Sequence, residues 1–561
     1  LRPSSVAILR RGTIVRVAGR PLEPLDKPAR LSYDSVRSAG SSARSKQVST
    51  GDAANHMPTT EPTINDSLAN LLRETRRMWR DAGVVSSQNT GLLRGSHEQP
   101  DILVAEPNVS PVVIETEVLP ATNVEAEARA RLGRQLSTTE AVVLSAVAVR
   151  LPRRLRSREG TELSNELRTA RDLEMALYTG RSDEGGLRWP SRGRLRGGVP
   201  ELSVLVQSAS IPPLVVDEAA KHLVDGVTAA GALLGEMARS HPGTLAQISR
   251  HLCQEDCEQT RSMAATILAN AFVFQETLAG GPGALAHVLS LAQLRGTGTG
   301  LTRQPVLEEW NKILRVNYWP IFDIARRILE VVPASHAGPL LDRLAQTAEE
   351  LLHQRLMSSH DLTGAVFQRT ISDRKFLAAF FTTPPSAALL ACLGIKPEAT
   401  PAGGTWADPE AVKTLRVADF ACGTGTLLTT AYARIGQLHE LSGGDSEALH
   451  PAMMAFGLTG CDILPAAAHL TASMLAGAHP TVRYEHSSIL NLAYGRQPDG
   501  SIALGSLDLL DPQGRLAVLS ITARAVGSMG PSERDTWLSL PHASFDLVIM
   551  NPPFTRSTVR I

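Results

Sequence analysis

Leu415-Arg-Val-Ala-Asp419-Phe-Ala-Cys-Gly423-Thr-Gly425-Thr-Leu-Leu428 reads as a short buried strand, a glycine turn and an apolar helix running to about Ile435. The two glycines let a ligand approach the backbone closely. Asp419 stands where the strand ends, and Ala421 lies in the turn. A dinucleotide fingerprint needs a third glycine three places after Gly425, where Leu428 stands instead, and the Gly-Lys-Ser/Thr of a phosphate loop is absent. Gly457-Leu-Thr-Gly-Cys-Asp462-Ile463 repeats the arrangement of strand, acid and apolar residue. An acid at a strand end suits ribose hydroxyls, and Ile463 could cover a flat purine. The ligand implied is a nucleoside with a cationic or amine end, not a pyrophosphate.

The apolar run Phe545-Asp-Leu-Val-Ile-Met550 stops at Asn551-Pro552-Pro553-Phe554. Proline fixes φ and has no N–H, so the corner cannot continue a ladder and its acceptors stay free. An amide oxygen and a carbonyl held side by side can both accept from one exocyclic amine. Phe554 offers a face on which a base can stack.

Phe381-Thr-Thr-Pro-Pro385, the DFACGTG turn, GCDI and NPPF, in that order, resemble the gamma-class N6-adenine DNA methyltransferases of type I and type IIG restriction-modification systems. The resemblance covers residues 361–561 and implies a Rossmann-like α/β fold that uses S-adenosyl-L-methionine. It places Phe381 and Thr382 in the cofactor motif ahead of the turn. Asp419, Gly423 and Gly425 fall on the methionine end, Asp462 on the ribose and Ile463 on the adenine, with Ala421 also among the cofactor-binding residues. Asn551, Pro552, Pro553 and Phe554 fall on the flipped target base. The acid that the family sets near Ser487-Ser488 is missing, which leaves Ser488 or His486 in its place. Hydrogen bonds from the amine to Asn551 and Pro552 would localise the nitrogen lone pair, and alignment with an activated methyl can contribute about 7–11 kcal/mol.

Toward the N-terminus, Gln99-Pro-Asp101-Ile-Leu-Val-Ala is a strand opening on an acid, and Ser110-Pro-Val-Val-Ile-Glu115-Thr-Glu117 is one closing on alternating acids. Alternation puts Glu115 and Glu117 on one face, and a hairpin brings Asp101 beside them. Such carboxylates could hold Mg²⁺, with Asp101 and Glu115 as ligands, to activate water against a phosphodiester. Val124–Leu136 reads as a helix on that sheet. The pattern resembles the PD-(D/E)xK nuclease core, with Glu117 where lysine is usual, as in some restriction endonucleases. Glu74, on a helix expected over 63–81 with Leu68, Leu71, Leu72 and Met78 inward, is a candidate fourth acid.

At 561 residues, 43% hydrophobic and 20% charged, the chain has room for several domains. The divisions expected are a disordered or non-native leader over 1–56 and a small nuclease-like α+β domain over 57–205. A helical connector follows over 206–360, then the incomplete methyltransferase over 361–561. No apolar run reaches membrane-spanning length by this reading, and five cysteines fit a reducing cytoplasm rather than a disulfide framework. His251, Cys253 and Cys257 read as ordinary helix residues, since no second cluster completes a zinc site. Net charge is zero, so composition does not single out a nucleic-acid binder. Arginines crowd over 150–158 and 188–196, as phosphate contacts or as a solvated face. Helical spacing is expected over 214–250, 260–278, 283–294, 307–331 and 338–357, broken by His241-Pro-Gly, Gly280-Gly-Pro-Gly and Gly296-Thr-Gly-Thr-Gly.

Double-stranded DNA is the expected partner. With only seven residues after Phe554, the catalytic strand would lie at an open sheet edge. A specificity subunit or a missing C-terminal target-recognition domain is then needed, and the chain alone should methylate DNA poorly. The alternatives are a nuclease-like DNA-binding defence protein with a vestigial methyltransferase, or a methyltransferase acting on RNA or on protein glutamine.

Overall fold

In the computed structural model the described residues are 6–10, 13–17, 59–81, 83–87, 99–106, 109–137, 141–180, 186–252, 257–281, 283–296, 300–316, 318–353, 382, 384–480, 482–484, 487–492, 494–496, 500, 502–510, 523–526 and 544–552. The chain opens with β1 (Val6–Arg10) and β2 (Thr13–Val17), antiparallel, with Ala7 opposite Arg16. The expectation of disorder over 1–56 fails for these strands. Their β-branched residues suit a pleated surface, and β1 finds a partner strand far away in sequence, which local periodicity cannot reveal.

The next unit comprises α1 (Glu61–Thr75), β3 (Val85–Ser87), β4 (Ile102–Val104), β5 (Val112–Val118), α2 (Val124–Arg131) and β6 (Ser145–Leu151). It continues through α3 (Gly160–Thr169), β7 (Leu173–Thr179), β8 (Leu187–Trp189), β9 (Leu195–Gly197) and α4 (Val199–Ala209). The sheet order is β3-β4-β5-β6-β7-β8, with β9 also on β7. Only β5 and β6 pair in parallel, and α2 is their crossover. One face packs under Leu68 and Leu72 of α1, Leu163 of α3 and Leu202 of α4, and the other under Val124 and Ala128 of α2. Covered on both sides, the Val112-Val-Ile114 run is wholly buried. Helix α1 stops at Thr75, earlier than expected. A 3₁₀ turn over Arg77–Arg80 then buries Trp79 and leaves Met78 out at 38% exposure.

The middle of the chain is a bundle of α5 (Pro213–Ser240), α6 (Pro242–Leu252), α7 (Glu258–Leu278), α8 (Leu291–Arg295), α9 (Arg303–Val316), α10 (Trp319–Val331) and α11 (Ala334–His353). The helical stretch over 214–250 breaks at His241 as expected, because a residue before proline avoids the helical region. Between α9 and α10, Tyr318 takes a left-handed φ of 66°. By length and composition, Val199–Ser240 contains one stretch apolar enough to cross a membrane, which the sequence reading did not foresee. In the fold it packs as core. Val215, Ala219, Leu223, Val227, Ala230, Leu234 and Met237 recur every three or four residues and face into the bundle.

The C-terminal unit contains α12 (Pro384–Gly394), α13 (Pro409–Lys413), β10 (Val417–Asp419), α14 (Thr426–Leu441), α15 (Ser446–Ala452), β11 (Leu458–Asp462) and α16 (Pro465–Ala476). After these come β12 (Ser488–Leu492), β13 (Tyr494–Arg496), β14 (Ile502–Leu504), β15 (Ala523–Val526) and β16 (Leu547–Met550). The sheet order is β15-β12-β11-β10-β16-β1-β2. Strands β12, β11, β10 and β16 run parallel, and β15 and β1 flank them antiparallel. Strand β16, expected at an open edge, is not at one: β1 pairs along it, with Ala7 opposite Met550. One apolar core runs unbroken from α5 through the bundle to Val417 and Ile549 of this sheet, so the bundle is fused to the sheet's helical layer.

Candidate functional site

Four parallel strands end at one edge of the C-terminal sheet, and each has a polar residue at its last position or next to it. The register sets Asp419 of β10 beside Gly460 of β11, and Asp462 beside Asn491 of β12. On the other side Ala418 pairs with Val548, so Asn551 follows β16 just beyond the level of Asp419. Strand β10 has β11 on one flank and β16 on the other, with helices leading away. A crevice between neighbouring strands whose connections diverge is where open α/β sheets bind ligands.

Within this edge the glycine turn is held by the two acids. Asp419 Oδ1 accepts the Ala421 amide at 3.0 Å, Asp462 Oδ2 accepts the Gly423 amide at 3.0 Å, and Asp462 Oδ1 accepts the Leu464 amide at 2.8 Å. The Cys422 amide donates to the Cys461 carbonyl at 2.9 Å, and the Thr471 hydroxyl donates to the Gly423 carbonyl at 2.9 Å. Gly423 and Gly425 have φ of 55° and 86°, a region that side-chain-bearing residues rarely enter. A Cβ on Gly425 would also sit 3.0 Å from Thr471, whereas one on Gly423 would meet nothing within 4 Å. The open face of the turn is therefore at Gly423.

Burial pushes the Asp419 carboxyl up to about 7, against the pull of the Ala421 amide and with a further push from Asp462. Asp462 is raised for the same first reason, although three backbone amides oppose the shift. Ile463 is 44% exposed beside this turn. A Cβ on Gly505 would lie 3.0 Å from Ile463 Cγ2 and 3.8 Å from Tyr494 Cδ2. Ile463 and Tyr494, the latter at the start of the β13–β14 hairpin, thus form an apolar shelf next to the acids.

The Asn551 amide nitrogen donates to the Thr382 hydroxyl at 3.1 Å, which joins the proline corner to the motif ahead of the glycine turn. Asn551 and Pro552 are half-buried at the same sheet edge as Asp419. Phe381, Pro553, Phe554 and His486 lie outside the described residues. Of the expected substitutes for the missing acid, Ser488 is turned away, its hydroxyl donating to the Ala455 carbonyl at 2.7 Å. Sequence reasoning missed Asn491. Its amide nitrogen donates to the Asp462 carbonyl at 3.1 Å. Its place beside Asp462 follows from the β11–β12 register, which the sequence does not display.

The sheet edge thus gathers two acids, an amide side chain, an open glycine and two neighbouring apolar side chains. The N-terminal unit fits its expected ion poorly. Asp101 Oδ2 accepts the Thr116 amide at 2.8 Å, and Glu117 Oε2 accepts the Val124 amide at 3.1 Å. Glu115, 2% exposed, pairs with Arg131 Nε at 2.7 Å. Among the described residues no group of three His, Cys, Asp or Glu is arranged to hold a metal. Glu74 pairs with Arg168 at 2.7 Å, while Glu61, at the other end of α1, accepts the Val118 amide near the acids. The crowded arginines are largely spent on ion pairs: Arg154 with Glu166 and Asp172, Arg188 and Arg194 with Glu125, and Arg196 with Glu174.

No family model matches the chain, and no curated protein matches it. Among solved structures it is similar to the DrdV–DNA complex, at TM-score 0.34 and 10% identity, over 76% of this chain and 39% of that one. It is also similar to the type IIG restriction endonuclease BpuSI, at TM-score 0.28 and 10% identity, over 78% and 43%. A third likeness is to the ATP-dependent type ISP restriction-modification enzyme LlaBIII bound to DNA, at TM-score 0.24 and 10% identity, over 50% and 18%. The chain spans less than half the length of each of these structures.

Proposed function

We propose that the C-terminal unit transfers a methyl group from S-adenosyl-L-methionine to N6 of an adenine flipped out of double-stranded DNA, within a protein of restriction-modification character. The observation that carries this reading is the convergence of Asp419, Asp462, Asn491 and Asn551 at the ends of four adjacent parallel strands. Asp419 and the open turn at Gly423 would hold the methionine end of the cofactor, Asp462 the ribose, and Ile463 with Tyr494 the purine. The acceptor oxygen of Asn491 stands in for the acid that related enzymes place there. When bound, the cofactor supplies an activated methyl.

The chain's own part is to grip and to orient. Asn551 and the Pro552 carbonyl accept from the exocyclic amine, which favours a localised lone pair on nitrogen. The bond from Asn551 to Thr382 fixes the amide's orientation, so its oxygen is presented without a search among rotamers. Extrusion of the base costs a few kcal/mol, which stacking in the pocket offsets.

Calorimetry with S-adenosyl-L-methionine, followed by digestion of tritiated DNA product to nucleosides, tests the reading. Saturable cofactor binding that Asp462→Ala abolishes, with N6-methyladenine as the product, is the expected result. Asn551→Ala should keep cofactor binding and lower transfer by about 10²-fold or more. No binding up to about 1 mM cofactor, or label recovered in RNA or in glutamine, would sink it.

A further inference from the structure

The N-terminal unit gathers carboxylates that push on one another. Burial is the first cause of the raised Asp101 carboxyl, with Glu61 adding to it. Glu127, raised likewise, feels both Glu117 and Asp101. Glu61 of α1, Asp101 just ahead of β4, Glu115 and Glu117 of β5 and Glu127 of α2 are thus close enough to act on one another around the end of β5. Such a concentration of negative charge under a helix is costly unless a cation answers it.

Arg156 pairs with Glu61 at 2.9 Å, and the cation on buried Glu115 is Arg131. Its side chain is 11% exposed and that of Glu115 is 3% exposed, so the pair is shielded from water. The guanidinium also donates to the Gln99 carbonyl at 3.4 Å, just ahead of Asp101. It sits in the last turn of α2, where the helix dipole favours positive charge. Arginine does not lose its proton in proteins, so pH does not vacate this place. Asp101 and Glu117 are met by the backbone amides of Thr116 and Val124.

We propose that Arg131 is a built-in substitute for a divalent cation: it occupies the Glu115 carboxylate on which a metal would depend and keeps the acidic face of the N-terminal unit metal-free. The unit then serves as a folded module without metal-assisted cleavage. This conclusion is independent of the methyl-transfer reading.

Terbium luminescence and manganese paramagnetic resonance on the full chain test it, with plasmid nicking as a parallel readout. The wild-type chain and Glu115→Gln should bind the ions identically and leave supercoiled plasmid intact. Arg131→Gln should gain a saturable site, which Arg131→Gln combined with Glu115→Gln removes. Arg131→Lys, which keeps the charge, should exclude the ion as the wild type does. Wild-type ion binding lost in Glu115→Gln would overturn the proposal, as would a folded Arg131→Gln chain that gains no site. If Arg131→Gln fails to fold, the comparison of wild type with Glu115→Gln still decides.

Discussion

Asp419 is 1% exposed, and its folded-state carboxyl titrates at about 7, above the unfolded value near 3.8. An acid raised in the folded state supports folding while protonated, so its contribution is complete below the unfolded value. That contribution fades as pH rises toward 7. Stability of the C-terminal unit should therefore fall between about pH 4 and pH 7, and Asp419→Asn should flatten that slope while weakening cofactor binding. Urea midpoints across this range check both expectations. Gly425 makes a sharper case, because a left-handed φ and contact with Thr471 act together. Gly425→Ala should cost about 1–3 kcal/mol, more than Gly423→Ala, in denaturant titrations. Burial pushes the Cys422 thiol well above its ordinary value and the Cys461 thiol up to about 12. Iodoacetamide followed by mass spectrometry should label exposed Cys257 and Cys392 at least ten times faster (~10-fold or more) than either of them.

Elements transmit these local effects through their packing. In the bundle, fully buried Trp310 meets Phe272 edge-on at 5.5 Å and Phe322 at 6.0 Å. Its indole donates to Gln275 Oε1 at 2.9 Å, and Gln275 Nε2 donates to the Leu289 carbonyl at 3.0 Å. Trp310→Phe strands the Gln275 oxygen and should cost about 1–3 kcal/mol. Trp310→Ala adds a cavity and should cost about 3–5 kcal/mol. The elements bearing Asp419, Asp462 and Asn551 were legible because each signal is local: a strand, then an acid or a proline corner. Arg131 and Asn491 were not, since each acquires its meaning from a neighbouring strand or helix whose register the sequence does not display. Met78 was misassigned to the core for a related reason, as the 3₁₀ turn after Thr75 advances the chain and brings Trp79 inward. Among the helices the proline at 242 was the readable break, while the left-handed Tyr318 gave no warning.

At the scale of the molecule, the N-terminal and C-terminal units meet across a cavity of about 840 Å³ lined by charged groups of both signs. Arg76 pairs with Glu106 at 2.6 Å within its own unit and with Glu440 at 3.6 Å across the gap. Arg77, more exposed, reaches Asp445 and Glu447 at the start of α15. Exposed pairs are screened by salt, so this contact should loosen as ionic strength rises. Small-angle scattering should show the radius of gyration growing with added salt. The Arg76→Ala, Arg77→Ala double variant should already show the larger value at low salt.

The pairing of β1 with β16 has its own consequence during synthesis. Val6–Arg10 leaves the ribosome well before Leu547–Met550, the strand that must receive it. Until then β1 presents an unmatched ladder to solvent and to other nascent chains, so chaperone dependence should be concentrated in that interval. Closing so long a loop is entropically tolerable, adding only about 0.6 kcal/mol per doubling of length, but it is slow. Completion of the sheet, and with it rigid placement of the Asn551 corner, has to wait for β16.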